Sequence, residues 1–531
     1  MAQELLYLKG DVQAEPLFQC WYAWSYLIPP ASAARYLTDH YQRILESYVN
    51  GPQFHAHASK DPKMIGGPFV DLGGQRVADV KALIEQTRAN RAELFALSAA
   101  LRDLGRGLQT GARGDSLMPL YATVPDPLKG LVELAYDAGH HASYRVIEPL
   151  MYRSPYYDDG AQSFLLSVTT GDHRPFVLST PRLEDTNSFN WRIPFEDARV
   201  DAFFRLRTEP RSWDEIREIV GDAGDKEALL RSFFTTRAPR RARPFDGDGA
   251  RWRYFGHACM MLETRETTLL LDPVISYAYD ADPPRFTHDD LPERIDYVVI
   301  THNHQDHVML ETLLYLRHRI DTIVLPRSGG GSLHDMSLKL ALQRIGFRRV
   351  IELDELETLD FAGGSITGIP FLGEHGDLSI RSKLAHLIRV GRHSMLFAAD
   401  SCGIEKKLYE NIRSAVGPID TLLIGLECEG APMSWVYGPL MTQPIERGLD
   451  QRRRLSGSTC AQSLAMVDAL GCSSVYVYAM GQEPWLGHVM GLKYAPDSPP
   501  IVESDQLIAT CRERGMQSER LLYSKEILLE A

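Results

Sequence analysis

The segment from Thr301 to His307 constrains this chain more than any other, because it places four metal-ligand side chains within six positions. They are His302, His304, Asp306 and His307. An apolar run at residues 297–300 precedes them and a helical pattern follows, so they fall in a loop between a buried strand and a helix. Two of these side chains can reach one metal ion, and the other two can turn to a second ion about 3.5–4 Å away. The segment therefore predicts a two-metal site.

Composition excludes several other classes of protein. The 531 residues carry a formal net charge of −13, and phosphate binding needs a dense basic face, so the chain is not a general nucleic-acid binder. No apolar run reaches the roughly 18 residues of a membrane span, and the first residues lack a signal-peptide pattern. The seven cysteines are odd in number and form no CxxC pair. We therefore expect a reduced, cytoplasmic protein.

The chain divides near residue 245. Residues 235–252 are rich in Pro, Gly and charge, and predict a linker. Residues 1–245 predict an α+β domain with helices near residues 32–48 and 77–108. In residues 246–531 strands come first and then alternate with helices, which indicates stacked sheets with helices outside. The segments 252–263 and 267–271 predict two strands that end at Asp272.

The motif HxHxDH, following a short apolar strand, resembles the metallo-β-lactamase fold. That fold is an αββα sandwich with two metal ions at one edge of its sheets, and the resemblance implies three further ligands. Asp400 ends the apolar run MLFAAD and matches the bridging aspartate. His488, in EPWLGHVMG, matches the last histidine, with His393 as a rival at a turn.

The remaining ligand position stays open between Glu374 and His375, in the segment LGEHGD. Zinc hydrolases of this fold usually have a histidine there. With His375 the site has two carboxylates against the +4 charge of two divalent ions; with Glu374 it has three. A third carboxylate suits iron better than zinc, and zinc has no redox chemistry. Glu374 would thus favour dioxygen chemistry over hydrolysis.

The pattern HxHxDH … LGEHGD … AAD … LGH, together with the large N-terminal domain, is similar to the dinuclear-iron β-hydroxylases of nonribosomal peptide synthesis. The resemblance covers essentially the whole chain. It implies that His302, His304 and Glu374 bind the first iron and that Asp400 bridges the two. The second iron would be bound by Asp306, His307 and His488.

The same resemblance implies a function. We expect a non-haem di-iron monooxygenase with two iron ions, oxo-bridged when oxidised, and with O2 and an external reductant as co-substrates. The substrate would be an aromatic amino acid, L-p-aminophenylalanine as in chloramphenicol biosynthesis, held as a thioester on a peptidyl carrier domain.

Partners would be that carrier domain, an electron donor and, in a homodimer, a second copy. Neither nucleic acid nor a membrane is expected. The N-terminal domain would serve dimerisation, capping or carrier docking. The alternative is a two-zinc hydrolase: a thioesterase, lactonase or phosphodiesterase.

Overall fold

The computed structural model describes residues 4–531. The strands of the first half are β1 Leu5–Leu8, β2 Val12–Phe18, β3 Trp21–Tyr22, β4 Val132–Tyr136, β5 Ala142–Val146, β6 Gln162–Val168, β7 Ser188–Arg192, β8 Arg211–Ser212 and β9 Phe234–Thr235. Its α-helices are α1 Pro30–Arg35, α2 Gln42–Asn50, α3 Pro52–Ala58, α4 Val77–Asn90, α5 Ala92–Gly111, α6 Glu148–Met151, α7 Ala198–Arg205, α8 Trp213–Val220 and α9 Glu227–Ser232. A π-helix, Tyr36–Tyr41, joins α1 to α2.

The strands of the second half are β10 Ala250–Gly256, β11 Cys259–Glu263, β12 Thr268–Leu271, β13 Ile295–Val299, β14 Ile320–Pro326, β15 Val350–Leu353, β16 Thr358–Phe361, β17 Gly364–Ile369, β18 Ala385–Val390, β19 His393–Phe397, β20 Thr421–Ile424, β21 Ser474–Val477, β22 Gln517–Arg520 and β23 Lys525–Leu529. Its α-helices are α10 Leu310–Leu316, α11 Leu338–Arg344, α12 Lys406–Val416, α13 Ser434–Tyr437, α14 Arg447–Asp450, α15 Cys460–Leu470, α16 Gly487–Met490 and α17 Pro499–Glu513.

Short 3₁₀-helices connect many of these elements. They are Ser25–Leu27, Met118–Thr123, Asp126–Leu128, Asp159–Ala161, Gly224–Lys226, His288–Asp290, Arg317–Arg319, Gly438–Leu440 and Pro484–Leu486. In residues 4–531 no helix is both long and apolar enough to cross a membrane.

Two seven-stranded sheets form the second half. Their strand orders are β15-β14-β13-β12-β11-β10-β23 and β16-β17-β18-β19-β20-β21-β22. An apolar layer that includes Trp252, Val299 and Phe397 fills the space between the sheets. A second apolar layer packs α12, α15 and α17 against the outer face of the second sheet. This arrangement is the αββα sandwich, which confirms the predicted fold class.

The loops after β12, β13, β17, β19, β20 and β21 lie at one edge of the sandwich. Strands β12 to β15 are mutually parallel, as are β19 to β22. Strand β17 points the same way as β19, because β18 is antiparallel to both. The carboxyl ends of parallel strands meet at the same sheet edge, where ligand sites usually form. The predicted metal ligands all follow such strand ends.

The first half packs against α10 through a buried charge cluster. Glu311 of α10 accepts hydrogen bonds from the hydroxyls of Tyr22 and Tyr277, each at 2.7 Å, and from Nη2 of Arg174 at 2.8 Å. Arg174 also donates to Glu15 at 2.6 Å, and Arg182 donates to the same carboxylate. Burial opposes ionisation of Glu15, but the two guanidinium groups lower its pKa to about 2. Charges from both halves therefore neutralise one another away from water.

Three expectations about local structure are wrong in detail. The stretch 77–108 is two helices, because Arg91 leaves helical geometry between α4 and α5. The first helix begins at Pro30 rather than after Ser32, whose hydroxyl donates to the carbonyl of Tyr26. The segment 252–263 is two strands, because the chain turns at His257 with a positive φ of 51°. The domain boundary at residue 245, between β9 and β10, stays a prediction.

Candidate metal centre

The loop after β13 is held in place by the end of β12. Asp272 accepts the backbone N–H of Thr301 at 2.8 Å and the hydroxyl of Thr301 at 2.6 Å. The loop then closes in a tight turn, in which the carbonyl of His304 accepts the N–H groups of His307 and Val308. This geometry directs the histidines of the motif toward the sheet edge, where all three are buried.

One group of side chains comprises His302, His304 and Glu374, whose candidate ligand atoms lie within 4.8 Å of one another. Nδ1 of His304 is 2.7 Å from Oε1 of Glu374. Nε2 of His302 is 3.9 Å from Oε2 of the same carboxylate. His375 belongs to none of the ligand groups found in residues 4–531. Its ring instead stacks on His304 at 4.6 Å, and its Nδ1 lies 2.6 Å from Glu374. The geometry therefore favours Glu374 over its neighbour as a ligand.

Asp400 lies between this group and His307. Its Oδ2 is 3.6 Å from Nε2 of His302 and 2.9 Å from Nε2 of His307. These three residues form a second group of metal-ligand geometry. Asp400 follows β19, and Cα of the nearby Gly425 sits so close that a Cβ there would lie 2.7 Å from Oδ1 of Asp400. A single carboxylate thus faces histidines of both predicted metal positions, as a bridging ligand must.

The third group contains a residue that the sequence analysis missed. His257, Asp306 and His307 bring their ligand atoms within 4.8 Å of one another. Oδ2 of Asp306 is 3.2 Å from Nε2 of His257 and 3.7 Å from Nε2 of His307. His257 was hidden inside a segment predicted as one strand. A turn-forming Gly256 next to it was the only local signal.

His488 lies outside these three groups. It is buried in α16, and neither ring nitrogen has a hydrogen-bond partner in the described residues. Burial lowers its pKa well below the usual value, and Arg174 and Arg182 add to the effect. Its role as a ligand stays a prediction. The rival His393 is part of β19, and its Nε2 lies 2.7 Å from the carbonyl of Glu530, at the opposite end of the strand from Asp400.

In two of these histidines a hydrogen bond to one ring nitrogen indicates that the other nitrogen faces the predicted metal site. Nδ1 of His307 lies 2.8 Å from Oδ2 of Asp272, so it carries the proton and leaves the lone pair on Nε2. Nε2 of His304 lies 2.7 Å from the hydroxyl of Tyr437, which leaves Nδ1 to face Glu374. Partners that fix tautomer and ring orientation in this way surround most metal-binding histidines.

The charged side chains of the site favour the binding of cations. Burial disfavours a charged His307, yet Asp306, Asp272 and Asp400 hold its pKa well above the ordinary value. The site therefore attracts positive charge. Several buried polar atoms here have no hydrogen-bond partner: His302 Nε2, His307 Nε2, Glu374 Oε2 and Asp400 Oδ1. Each such atom costs about 1–3 kcal/mol when left unsatisfied, and two metal ions would satisfy all four.

Glu374 sits on a strained loop. Gly373 and Glu374 both have positive φ, at 78° and 64°, and a side chain at Gly373 would come within 2.5 Å of Sγ of Cys402. The loop is held by Lys383, which donates to the carbonyl of Gly373 at 3.1 Å, and by Arg453, which donates to the carbonyl of Gly376 at 2.9 Å. Strain of this kind, held by surrounding contacts, is common where a side chain must be aimed at a functional site.

Glu427 is a further carboxyl group near the site that the sequence analysis missed. It follows β20, at the same sheet edge as Asp400, and accepts a hydrogen bond from the hydroxyl of Tyr494 at 2.8 Å. Burial raises the pKa of Glu427 well above its ordinary value, and the charges of Asp400 and Asp306 add to the shift. Its position after the apolar strand TLLI was the signal that could have found it.

An αββα sandwich with histidines and carboxylates at one sheet edge defines a two-metal protein of the metallo-β-lactamase fold. Comparisons with known proteins identify the family within this class. The family model for the diiron non-heme β-hydroxylase N-terminal domain matches residues 7–239, and the model for the beta-lactamase superfamily domain matches residues 267–455. The chain belongs to the diiron non-heme β-hydroxylase family, as the sequence resemblance predicted.

A curated relative and two solved structures match nearly the full length. The 4-amino-L-phenylalanyl-CmlP-peptidyl-carrier-protein 3-hydroxylase of Streptomyces venezuelae is 42% identical over 98% of this chain and 99% of its own. The crystal structure of CmlA, a diiron β-hydroxylase from Streptomyces venezuelae, is 40% identical with a TM-score of 0.93, over 99% of this chain and 100% of that one. A glutamate-to-aspartate mutant of CmlA is 41% identical with a TM-score of 0.91, over the same shares.

Proposed function

We propose that this chain hydroxylates the β-carbon of an aromatic aminoacyl group, 4-amino-L-phenylalanyl, held as a thioester on a peptidyl carrier domain. The observation that carries the proposal is the 42% identity, over nearly the full length of both chains, to the enzyme named for that reaction. The placement of Glu374 with His302 and His304 supports it, because a third carboxylate favours iron over zinc.

The proposed ligand set draws on the three groups of side chains, leaves out His257 and adds His488. His302, His304 and Glu374 would hold one iron, and Asp400 would contact both. Asp306 and His307 would hold the second iron, with His488 as its remaining nitrogen ligand. When bound, the iron pair supplies dioxygen activation with electrons from an external donor, so that one oxygen atom enters the benzylic C–H bond and the other leaves as water.

The chain's own residues orient these ligands and keep water out. Asp272 fixes the proton of His307 on Nδ1, so that Nε2 presents its lone pair inward, and the hydroxyl of Tyr437 holds the ring of His304 in its orientation. The three histidines of the motif are nearly inaccessible to solvent, Asp306 is 13% exposed, and Tyr437 is fully buried. A dry site protects a reactive oxidant from quenching by bulk water. The glutamate at position 374 can bind through one oxygen or two, which histidine cannot, so carrier docking could be transmitted to the metals through it.

The carrier's phosphopantetheine arm needs a path to the site, and a cavity of about 380 Å³ at the contact between the two halves offers one. Arg174 and His488 line the cavity, together with the exposed amines of Lys60 and Lys493. Exposed cationic amines at the cavity are suited to the phosphate of the arm and to an acidic carrier surface. We propose that the phosphopantetheine arm reaches the site through this cavity.

The proposal is tested by metal analysis followed by an activity assay. Protein from iron-replete cells should contain about two irons per chain. It should hydroxylate carrier-bound 4-amino-L-phenylalanine under O2 with a chemical reductant, and leave the free amino acid unchanged. Two zinc ions that persist when iron is plentiful, together with thioester or phosphoester hydrolysis, would overturn it in favour of the hydrolase.

Two parts of the proposal concern other partners. A separate electron donor is part of the proposal, because placing one atom of O2 in the substrate and releasing the other as water consumes two external electrons. Homodimer formation through residues 1–245 remains a prediction, and light scattering of the intact chain would test it.

A further inference from the structure

His257 sits at the turn between β10 and β11, and the segment after β21 fixes it at two points. Its carbonyl accepts the N–H of Ala479 at 2.8 Å, and its Nδ1 accepts the N–H of Gly481 at 3.1 Å. The side chain is completely buried. The ring therefore has one orientation, with Nε2 directed at Oδ2 of Asp306, 3.2 Å away.

The hydrogen bond from Gly481 decides where the ring carries its proton. A backbone N–H can only donate, so Nδ1 of His257 must present a lone pair. A neutral imidazole then carries its proton on Nε2, and that N–H donates to Asp306. A nitrogen that binds a metal must itself present a lone pair. Nε2 of His257 is therefore unsuitable as a ligand, although its distance from Asp306 and His307 would allow one.

We propose that His257 is a positioning residue, which holds the carboxylate of Asp306 in the orientation needed to bind the second iron. The inference rests on the proposed function in one respect, the assignment of Asp306 as a ligand. By excluding His257 as a ligand, it also leaves the remaining nitrogen position of the second iron to His488, the residue that the proposed function assigns there. Carboxylates that bind metals are commonly held by such outer hydrogen bonds.

Two substitutions test the two ring nitrogens of His257 separately. In His257→Gln the terminal amide reaches the place of Nε2 and keeps a donor for Asp306. In His257→Asn the shorter side chain keeps an acceptor for Gly481 and loses that donor. We expect His257→Asn to weaken binding of the second iron on the order of 10–100-fold in chelator competition, and His257→Gln to restore most of the loss. Equal losses in both variants, or a larger loss with Gln, would overturn the proposal.

Nitrogen NMR of ¹⁵N-histidine-labelled protein gives a readout that does not depend on activity. The resonance of His257 is assigned as the one missing in His257→Gln. We expect a protonated Nε2 and an unprotonated Nδ1, both in metal-free protein and after loading with diamagnetic zinc. An unprotonated Nε2 whose shift moves on zinc binding would identify a metal ligand and overturn the proposal. If wild-type protein bound no metal, the proposed function would fail, while the metal-free spectrum would still decide the hydrogen bond.

Discussion

Nδ1 of His307 and Oδ2 of Asp272 are 2.8 Å apart, and this contact joins the end of β12 to the last residue of the HxHxDH motif. The same carboxylate accepts two further hydrogen bonds from Thr301. Asp272 thus fixes both the path of the loop and the tautomer of one predicted ligand. An aspartate that contacts no metal can in this way control the geometry of the metal site.

The first prediction concerns Asp272→Asn. Asparagine replaces one of the two acceptor oxygens with an NH2 group, which would then face a donor, either the backbone N–H of Thr301 or Nδ1–H of His307. We expect metal affinity to fall on the order of 10–100-fold, as measured by chelator competition. Asp296→Asn is the matched control, because Asp296 also accepts a strand N–H, from Thr268 at 2.9 Å, but at the other end of β12. Equal affinities in the two variants would contradict this role.

The second prediction compares Glu374→Ala with His375→Ala. The glutamate variant should lose iron from the first position and lower hydroxylation more than it lowers the free energy of unfolding. The histidine variant should keep about two irons per chain, because His375 packs behind the carboxylate. Elemental analysis and denaturant unfolding of both proteins measure the difference. Iron loss in His375→Ala alone would reverse the assignment.

The third prediction concerns the charge cluster between the two halves. Glu311→Ala removes the acceptor of two buried tyrosine hydroxyls, of Tyr22 and Tyr277, and of the half-buried Arg174. We expect the free energy of unfolding to fall by about 3–5 kcal/mol in urea titrations, because the guanidinium groups of Arg174 and Arg182 would then share the single carboxylate of Glu15. Asp103→Ala, which breaks an exposed ion pair with Arg106, should have little effect. Similar losses from both substitutions would show that burial of the cluster contributes nothing.

The fourth prediction is a pH dependence at Glu148, which accepts the N–H of Ser337 at 2.9 Å. Burial raises the pKa of Glu148 to about 7, from an ordinary value of 4.5. Below pH 4.5 both the folded and unfolded states are protonated. Between 4.5 and 7 only the unfolded state releases its proton, so the stability due to this group is lost as pH rises.

Glu148→Gln lacks this titration. Compared with wild type in the same metal state, the variant should gain stability between pH 4.5 and 7, by about 3 kcal/mol at most. Urea denaturation at several pH values measures the difference. A gap between the two proteins that does not change with pH would show that Glu148 titrates normally.

The fifth prediction tests the path of the carrier's arm. The double substitution Lys60→Glu and Lys493→Glu reverses two charges at the cavity. We expect KM for the carrier-bound substrate to rise by about tenfold at low salt, with kcat nearly unchanged. Lys81→Glu, an exposed charge reversal on α4, serves as the control. An unchanged KM in the double variant would remove the arm from this cavity.

The sequence by itself determined the class of protein and predicted the ligands of the motif. Four ligand-type residues within six positions, after an apolar strand, are a local signal that needs no knowledge of distant contacts. The alternation of strands and helices likewise predicted the αββα sandwich, because the spacing of apolar residues shows which strand faces must be buried. The family resemblance placed Glu374 and Asp400 by their positions after strands.

Only the tertiary structure decided which other residues meet the site. His257 and Gly481 are 224 positions apart, and their hydrogen bond sets the tautomer that makes His257 a donor to Asp306. The same holds for Glu427, which comes near Asp400 because β19 and β20 are parallel neighbours. A histidine's proton position depends on its partners in space. Those partners are joined by sheet pairing and loop packing between distant segments, which local patterns of residues do not encode.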